Sequence, residues 1–134
     1  MELPVTANAP APQARILAID DDPGLLENFR LCLEDAGHRV STASRLREGL
    51  KLAATQPFHV CLLDRDIAGD SGLDALPRLR ELAPDLRVIM VTAHSQVDDA
   101  VRAISDGAAD YLVKPCSPAQ LRIAVARQVD TLEL

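Results

Sequence analysis

The sequence predicts an α/β protein in which five strand–helix units wind into one parallel sheet with helices on both faces. Short apolar runs alternate five times with stretches of helical periodicity, the pattern of successive βα units. Three of those runs, RILAI, FHVCLL and RVIMV, are almost continuously apolar, as strands covered on both faces must be. The 134 residues are one domain's worth, enough to bury about 68% of the unfolded surface and too few for a closed barrel of eight units.

The chain divides into a tail, 1–14, a domain, 15–130, and a stub, 131–134. The tail, MELPVTANAPAPQA, has the Pro/Ala-rich composition of a disordered segment and lacks the basic and apolar regions of a secretory signal. RILAI (15–19) is the first strand, stopped by three aspartates. Asp22 then caps a helix, Pro23 fills its first position, Leu25, Phe29, Cys32 and Ala36 form its apolar face, and Gly37 ends it. HRVSTA (38–43) is more polar and suits an edge strand, after which Ser44 opens a helix with Leu46, Leu50 and Ala53 inward. FHVCLL (58–63) precedes a helix over 73–83, where Pro77 removes a backbone bond and predicts a kink or a late start.

RVIMV (87–91) leads to a helix capped by Ser95, packed through Val97, Val101 and Ile104, and ended by Gly107. DYLV (110–113) is the fifth strand. The last helix carries Ser117, Pro118 and Gln120, a capping box, with Cys116 placed to staple onto Leu121. Putting the polar second strand at an edge gives the flavodoxin-like order 2-1-3-4-5, whose ligand site lies beyond the carboxyl ends of strands one and three.

Composition narrows the function. Aromatics are 2% and Trp is absent, so aliphatic side chains carry the core. A net charge of -6, with no Lys/Arg cluster among aromatics, opposes direct nucleic-acid binding. A run of about eighteen apolar residues, the length that spans a membrane, does not occur. Cys32, Cys61 and Cys116 are separated and form no C-x-x-C pair; they read as free thiols of a reducing compartment, in a soluble cytoplasmic protein.

The polar residues concentrate at one mouth. Strand one ends in Asp20 and Asp21, strand three in Asp64, strand four in Thr92, and strand five in Lys114 followed by Pro115. Acids so close repel one another, and a divalent cation with oxygen preference, Mg²⁺, resolves the conflict.

ILAIDDDPGLL, CLLDRDIAGDSGLD, VIMVTAHS and GAADYLVKP, in this order, resemble the receiver domain of bacterial two-component response regulators. The stretch VTAHSQVDDAVRAISDGAADYLVKPCSPAQLR is similar to receivers of the NtrC-type activators. The resemblance implies that Asp64 is the phosphoacceptor, taking a phosphoryl group from a sensor histidine kinase. It implies Mg²⁺ held by Asp21, Asp64 and the backbone carbonyl of Asp66, with Asp20 acting through water. It further implies Lys114 paired with a phosphoryl oxygen, Thr92 and Tyr111 as the switch pair, and a cis peptide before Pro115. The partners implied are the kinase, a following output domain with ATPase and DNA-binding parts, and a second copy through the fourth and fifth helices. Such a domain is a phosphorelay module rather than an enzyme.

Two positions depart from the family pattern. Ala68 stands where receivers often have proline, so a looser loop is expected, and Asp66 adds an acid beside the site. DRDI also resembles the D-x-D motif of haloacid-dehalogenase-type phosphatases, but that reading leaves Asp20 and Asp21 unused and places its late acidic pair, Asp98 and Asp99, on a helix. GDSG (69–72) matches a serine-protease segment by coincidence, since those proteins are far longer. His94 sits near the mouth, whereas His38 and His59 fall at the opposite end. A degenerate receiver that never takes phosphate is the non-catalytic rival.

Overall fold

Alternating side chains decide how the two faces of the sheet are covered. The structure, a computed structural model, describes residues 13–132; most of the proposed tail and the end of the stub lie outside the described residues. Its elements are β1 (Arg15–Ile19), α1 (Pro23–Asp35), β2 (Arg39–Ala43), α2 (Leu46–Thr55), β3 (Val60–Leu63), β4 (Asp66–Ile67), β5 (Asp70–Ser71), α3 (Gly72–Leu82), β6 (Arg87–Thr92), α4 (Val97–Ser105), β7 (Asp110–Val113) and α5 (Pro118–Val129). The main sheet runs β2-β1-β3-β6-β7, all parallel, which is the expected order 2-1-3-4-5 with the β4–β5 hairpin inserted. That hairpin, pairing Asp66 with Ser71 and Ile67 with Asp70, was not anticipated.

One core lies between the sheet and α1 and α5. Ile16, Ala18, Val60, Leu62, Ile89 and Val91 meet Leu26, Phe29 and Leu33 from α1 and Leu121, Val125 and Val129 from α5. The alternate residues Leu17, Ile19, Cys61, Leu63, Val88 and Met90 face the other core, with Leu46, Leu73, Leu76, Leu79 and Ala103. Period-two alternation thus feeds two apolar layers from each central strand.

Two of the four expected N-caps, Asp22 and Ser117, are where the sequence puts them. Asp22 accepts from the Gly24 and Leu25 amides, and the α5 capping box of Ser117 and Gln120 is complete. Gly37 and Gly107 end α1 and α4 with φ of 99° and 104°, a region closed to most residues. In α1 the buried side chains are Leu26, Phe29 and Leu33, a face turned from the expected one so that it meets the sheet and α5 in one core. The caps of α2 and α4 are Arg45 and Gln96, without side-chain bonds, rather than Ser44 and Ser95.

Two further expectations are corrected. Helix α3 starts at Gly72, capped by Ser71, and runs unbroken through Pro77, which lies on the exposed side. In α4 the expected packing face points to solvent: Val97, Val101 and Ile104 are 74%, 62% and 50% exposed, and Ala103 is what the helix buries. Helical spacing marks an apolar stripe without saying whether this chain covers it.

Candidate functional site

Among the described residues, the buried polar or charged side chains are Asp20, Asp64 and Thr92, and all three sit at the carboxyl end of the sheet. Parallel pairing explains the convergence. The Asp20 amide donates to the Ala43 carbonyl and the Asp64 amide to the Ile19 carbonyl, so β1 and β3 end at the same level. Thr92 closes β6, and the Lys114 amide donates to its carbonyl at 2.8 Å.

One carboxylate oxygen from each of Asp20, Asp21 and Asp64 lies within 4.8 Å of the other two. Lys114 Nζ donates to Asp20 Oδ2 at 2.6 Å and to Asp64 Oδ2 at 2.9 Å. Asp64 Oδ1 accepts the Arg65 amide at 2.7 Å, Asp20 Oδ1 the Asp22 amide at 3.0 Å, and Asp21 Oδ2 the Ala68 amide at 2.8 Å. With the acids ionised, one ammonium leaves the cluster a formal charge of minus two. Burial raises the Asp20 carboxyl above its ordinary range, although the bonds from Lys114 and the Asp22 amide pull it down. Burial disfavours the Lys114 ammonium, but its bonds to Asp20 and Asp64 outweigh that cost and hold it above the usual 10.5.

These donors are hard oxygens with no nitrogen or sulfur among them, the chemistry that suits Mg²⁺. The residues present therefore fit the ion that the sequence implied.

The remaining expected residues are placed nearby. Thr92 is fully buried and its Oγ1 accepts the His94 amide at 3.3 Å. Tyr111 is half-buried, with its hydroxyl donating to the His94 carbonyl at 2.8 Å; burial and the Asp99 charge raise its pKa. The Lys114–Pro115 peptide is cis. Asp66 lies on the hairpin with its side chain turned to His94, 2.6 Å away, and not into the acidic cluster. His38 and His59 are at the opposite end, where their Nδ1 atoms accept the Ala14 and Arg15 amides.

Sequence reasoning missed three contributors. A Cβ at Gly72 would come within 1.9 Å of the Asp64 carbonyl oxygen, so this glycine lets α3 begin against the phosphoacceptor candidate; the motif DSG signalled a turn but not this approach. Ala68, at φ 52°, and Gly69, at φ 92°, close a two-residue hairpin turn, so the loop expected to be loose is paired and lends an amide to Asp21. Arg65 reaches Asp99 on α4, with Nε 2.9 Å from Oδ2, which no periodicity announces.

The comparisons agree with this geometry. The family model described as the response regulator receiver domain matches residues 16–126. The alginate biosynthesis transcriptional regulatory protein AlgB of Pseudomonas syringae pv. tomato is 52% identical over 122 residues, covering 91% of this chain and 27% of that protein. The chain thus spans about a quarter of the length of that curated relative. The solved beryllofluoride-activated NtrC4 receiver domain dimer superposes with a TM-score of 0.82 at 32% identity, over 87% of this chain and 94% of that one. A response regulator from Burkholderia pseudomallei, solved with a phosphorylated aspartic acid, calcium ion and citrate, superposes at 0.77 with 28% identity, over 90% of this chain and 76% of that one. A family model covering most of the domain, a sheet order of 2-1-3-4-5 and an acidic mouth bridged by one lysine all say the same thing: this chain belongs to the response regulator receiver domain family.

Proposed function

We propose that Asp64 is the phosphoacceptor of this receiver, taking a phosphoryl group from a phosphohistidine of a sensor kinase. The observation that carries the reading is the Lys114 ammonium, which bridges carboxylates from the ends of β1 and β3. An Asp64 carboxylate oxygen attacks phosphorus, the P–N bond to the kinase imidazole breaks with its electron pair leaving on nitrogen, and Asp64 becomes an acyl phosphate. Lys114 stays within reach of the new phosphoryl oxygens, and its charge offsets theirs as they leave solvent. Asp21, Asp64 and the Asp66 backbone carbonyl would hold Mg²⁺, with Asp20 reaching it through water; when bound, the ion neutralises developing phosphoryl charge. Thr92 then turns its hydroxyl from the His94 amide to the phosphoryl group, and the Tyr111 ring follows into the space released.

The product is a regulatory state, so the domain acts as a phosphorelay module and not as a turnover enzyme. AlgB is a transcriptional regulatory protein, and with the resemblance to NtrC-type activators this supports a receiver that controls a following transcriptional output domain with ATPase and DNA-binding parts, in the cytoplasm. The exposed apolar side chains Val97, Val101 and Ile104 on α4 and Ile123 on α5 support pairing of two copies through α4 and α5. Among the described residues no helix is long and apolar enough to cross a membrane.

The test is incubation with acetyl phosphate and Mg²⁺, followed by intact-mass measurement. The wild-type chain gains one phosphoryl group and the Asp64→Asn chain gains none. Equal labelling of both removes Asp64 from this role, and no labelling of either favours a degenerate receiver.

A further inference from the structure

Two side chains that phosphoryl transfer leaves unused reach from the loop after Asp64 to the next strand–helix unit. Arg65 Nε lies 2.9 Å from Asp99 Oδ2 on α4, and Arg65 Nη2 lies 3.5 Å from Asp99 Oδ1. Asp66 meets His94 in the β6–α4 loop. The first pair is the more enclosed, its side chains 29% and 13% exposed. Its Nε and Oδ2 are both buried and face each other without an aligned hydrogen bond. Such a contact is held by charge more than by hydrogen-bond geometry, and buried polar atoms left in that state call for a reason.

Helix α4 supplies the reason. It buries Ala103 and leaves its valines and Ile104 in solvent, so apolar packing holds it weakly. Two ion pairs then anchor it, Arg65–Asp99 to the loop that carries Asp64 and the more exposed Arg102–Asp74 to α3.

We propose that the Arg65–Asp99 ion pair tethers α4 in the unmodified protein, and that a phosphoryl group on Asp64 releases the helix by drawing Arg65 away. The proposal rests on Asp64 being the phosphoacceptor. Arg65 is the next residue, and a phosphoryl group brings about -1.5 to -2 charges with three acceptor oxygens, against the Asp99 carboxylate and the longer, more exposed contact of Arg65 Nη1 to Asp66 at 3.4 Å. A guanidinium fork matches phosphoryl oxygens well. The added charge also repels Asp99 itself, so attraction at Arg65 and repulsion at Asp99 act in the same direction. This route differs from the Thr92 and Tyr111 pair, because it acts on the charged side chain next in sequence to Asp64, whose amide already donates to the Asp64 carboxylate.

The experiment is amide hydrogen exchange over the peptides covering residues 95–106, with and without acetyl phosphate and Mg²⁺, in the wild-type, Asp99→Asn and Arg65→Gln chains. Unmodified Asp99→Asn and Arg65→Gln are expected to exchange about tenfold faster across α4 than wild type, the scale of losing one half-buried ion pair. Phosphorylation is expected to speed exchange in wild type and to add little in Asp99→Asn, which still gains a phosphoryl group by mass. Unmodified variants that protect α4 as wild type does overturn the tether. Equal fold-changes on phosphorylation in wild type and Asp99→Asn overturn the release. A wild-type chain that takes no phosphoryl group instead defeats the underlying reading of Asp64, an outcome that mass alone distinguishes. If Asp99→Asn does not fold, Arg65→Gln decides the tether and its release by the same two comparisons, because the Arg65 amide that binds Asp64 is kept.

Discussion

Asp20 is the residue whose placement costs the fold most visibly. It is almost fully buried beside two other acids, and burial outweighs its bonds to Lys114 and the Asp22 amide, so its ionised form is disfavoured. The sign follows from linkage: a carboxyl raised in the folded state loses stabilising effect as pH rises through the carboxylate range. At neutral pH ionised Asp20 is therefore a net cost, offset when a cation arrives. Asp20→Asn is expected to melt above wild type at pH 7 in metal-free buffer. That gain should vanish as pH falls below the ordinary value of 3.8, where both states of the wild type carry the proton. Thermal melts from pH 3 to 7 check it; a lower melting temperature for Asp20→Asn at pH 7 would show that the Lys114 bond dominates.

At the scale of elements, the β4–β5 hairpin is the informative one. Its two-residue turn places Ala68 and Gly69 at positive φ, the pattern of a type I′ turn, which favours Asn-Gly. An alanine in the left-handed region costs about 1–2 kcal/mol relative to glycine-like freedom. Ala68→Asn keeps the backbone N–H that Asp21 accepts and should stabilise the domain by about 0.5–1 kcal/mol. Urea denaturation would show this as a higher midpoint with an unchanged slope. The hairpin was illegible because four residues carry no periodicity, whereas α5 was legible from Ser117, Pro118 and Gln120 alone. Helix α4 shows the opposite failure: its stripe of Val97, Val101 and Ile104 is real in the sequence but is left exposed by the described residues.

For the whole molecule, the two cores hold five strand ends in register, and the acidic mouth is a product of that register. A ligand that binds the folded mouth and not the unfolded chain stabilises by mass action, about 2.7 kcal/mol at a hundredfold excess over its dissociation constant. Mg²⁺ is therefore expected to raise the melting temperature in a saturable way, and a chelator to reverse the rise. A melting temperature indifferent to Mg²⁺ would remove the ion from the account. In the same frame the Gly72 amide donates to the Arg65 carbonyl and Gly72 lies against the Asp64 carbonyl, so α3 begins directly on the end of β3.

By itself the sequence determined the class of fold, the order of the strands and the acids, hydroxyl and lysine that meet at the mouth. It could do so because strand ends are marked locally, where an apolar run stops, and parallel winding then aligns those ends. Lys114 and Asp20 are 94 positions apart, yet each is readable from its own strand. The buried face of α1, the uncovered stripe of α4, the contact of Gly72 with the Asp64 carbonyl and the Arg65–Asp99 pair were decided by tertiary structure alone. Each depends on where a helix settles against a neighbour, and the free energy of that choice lies in contacts that no local pattern encodes.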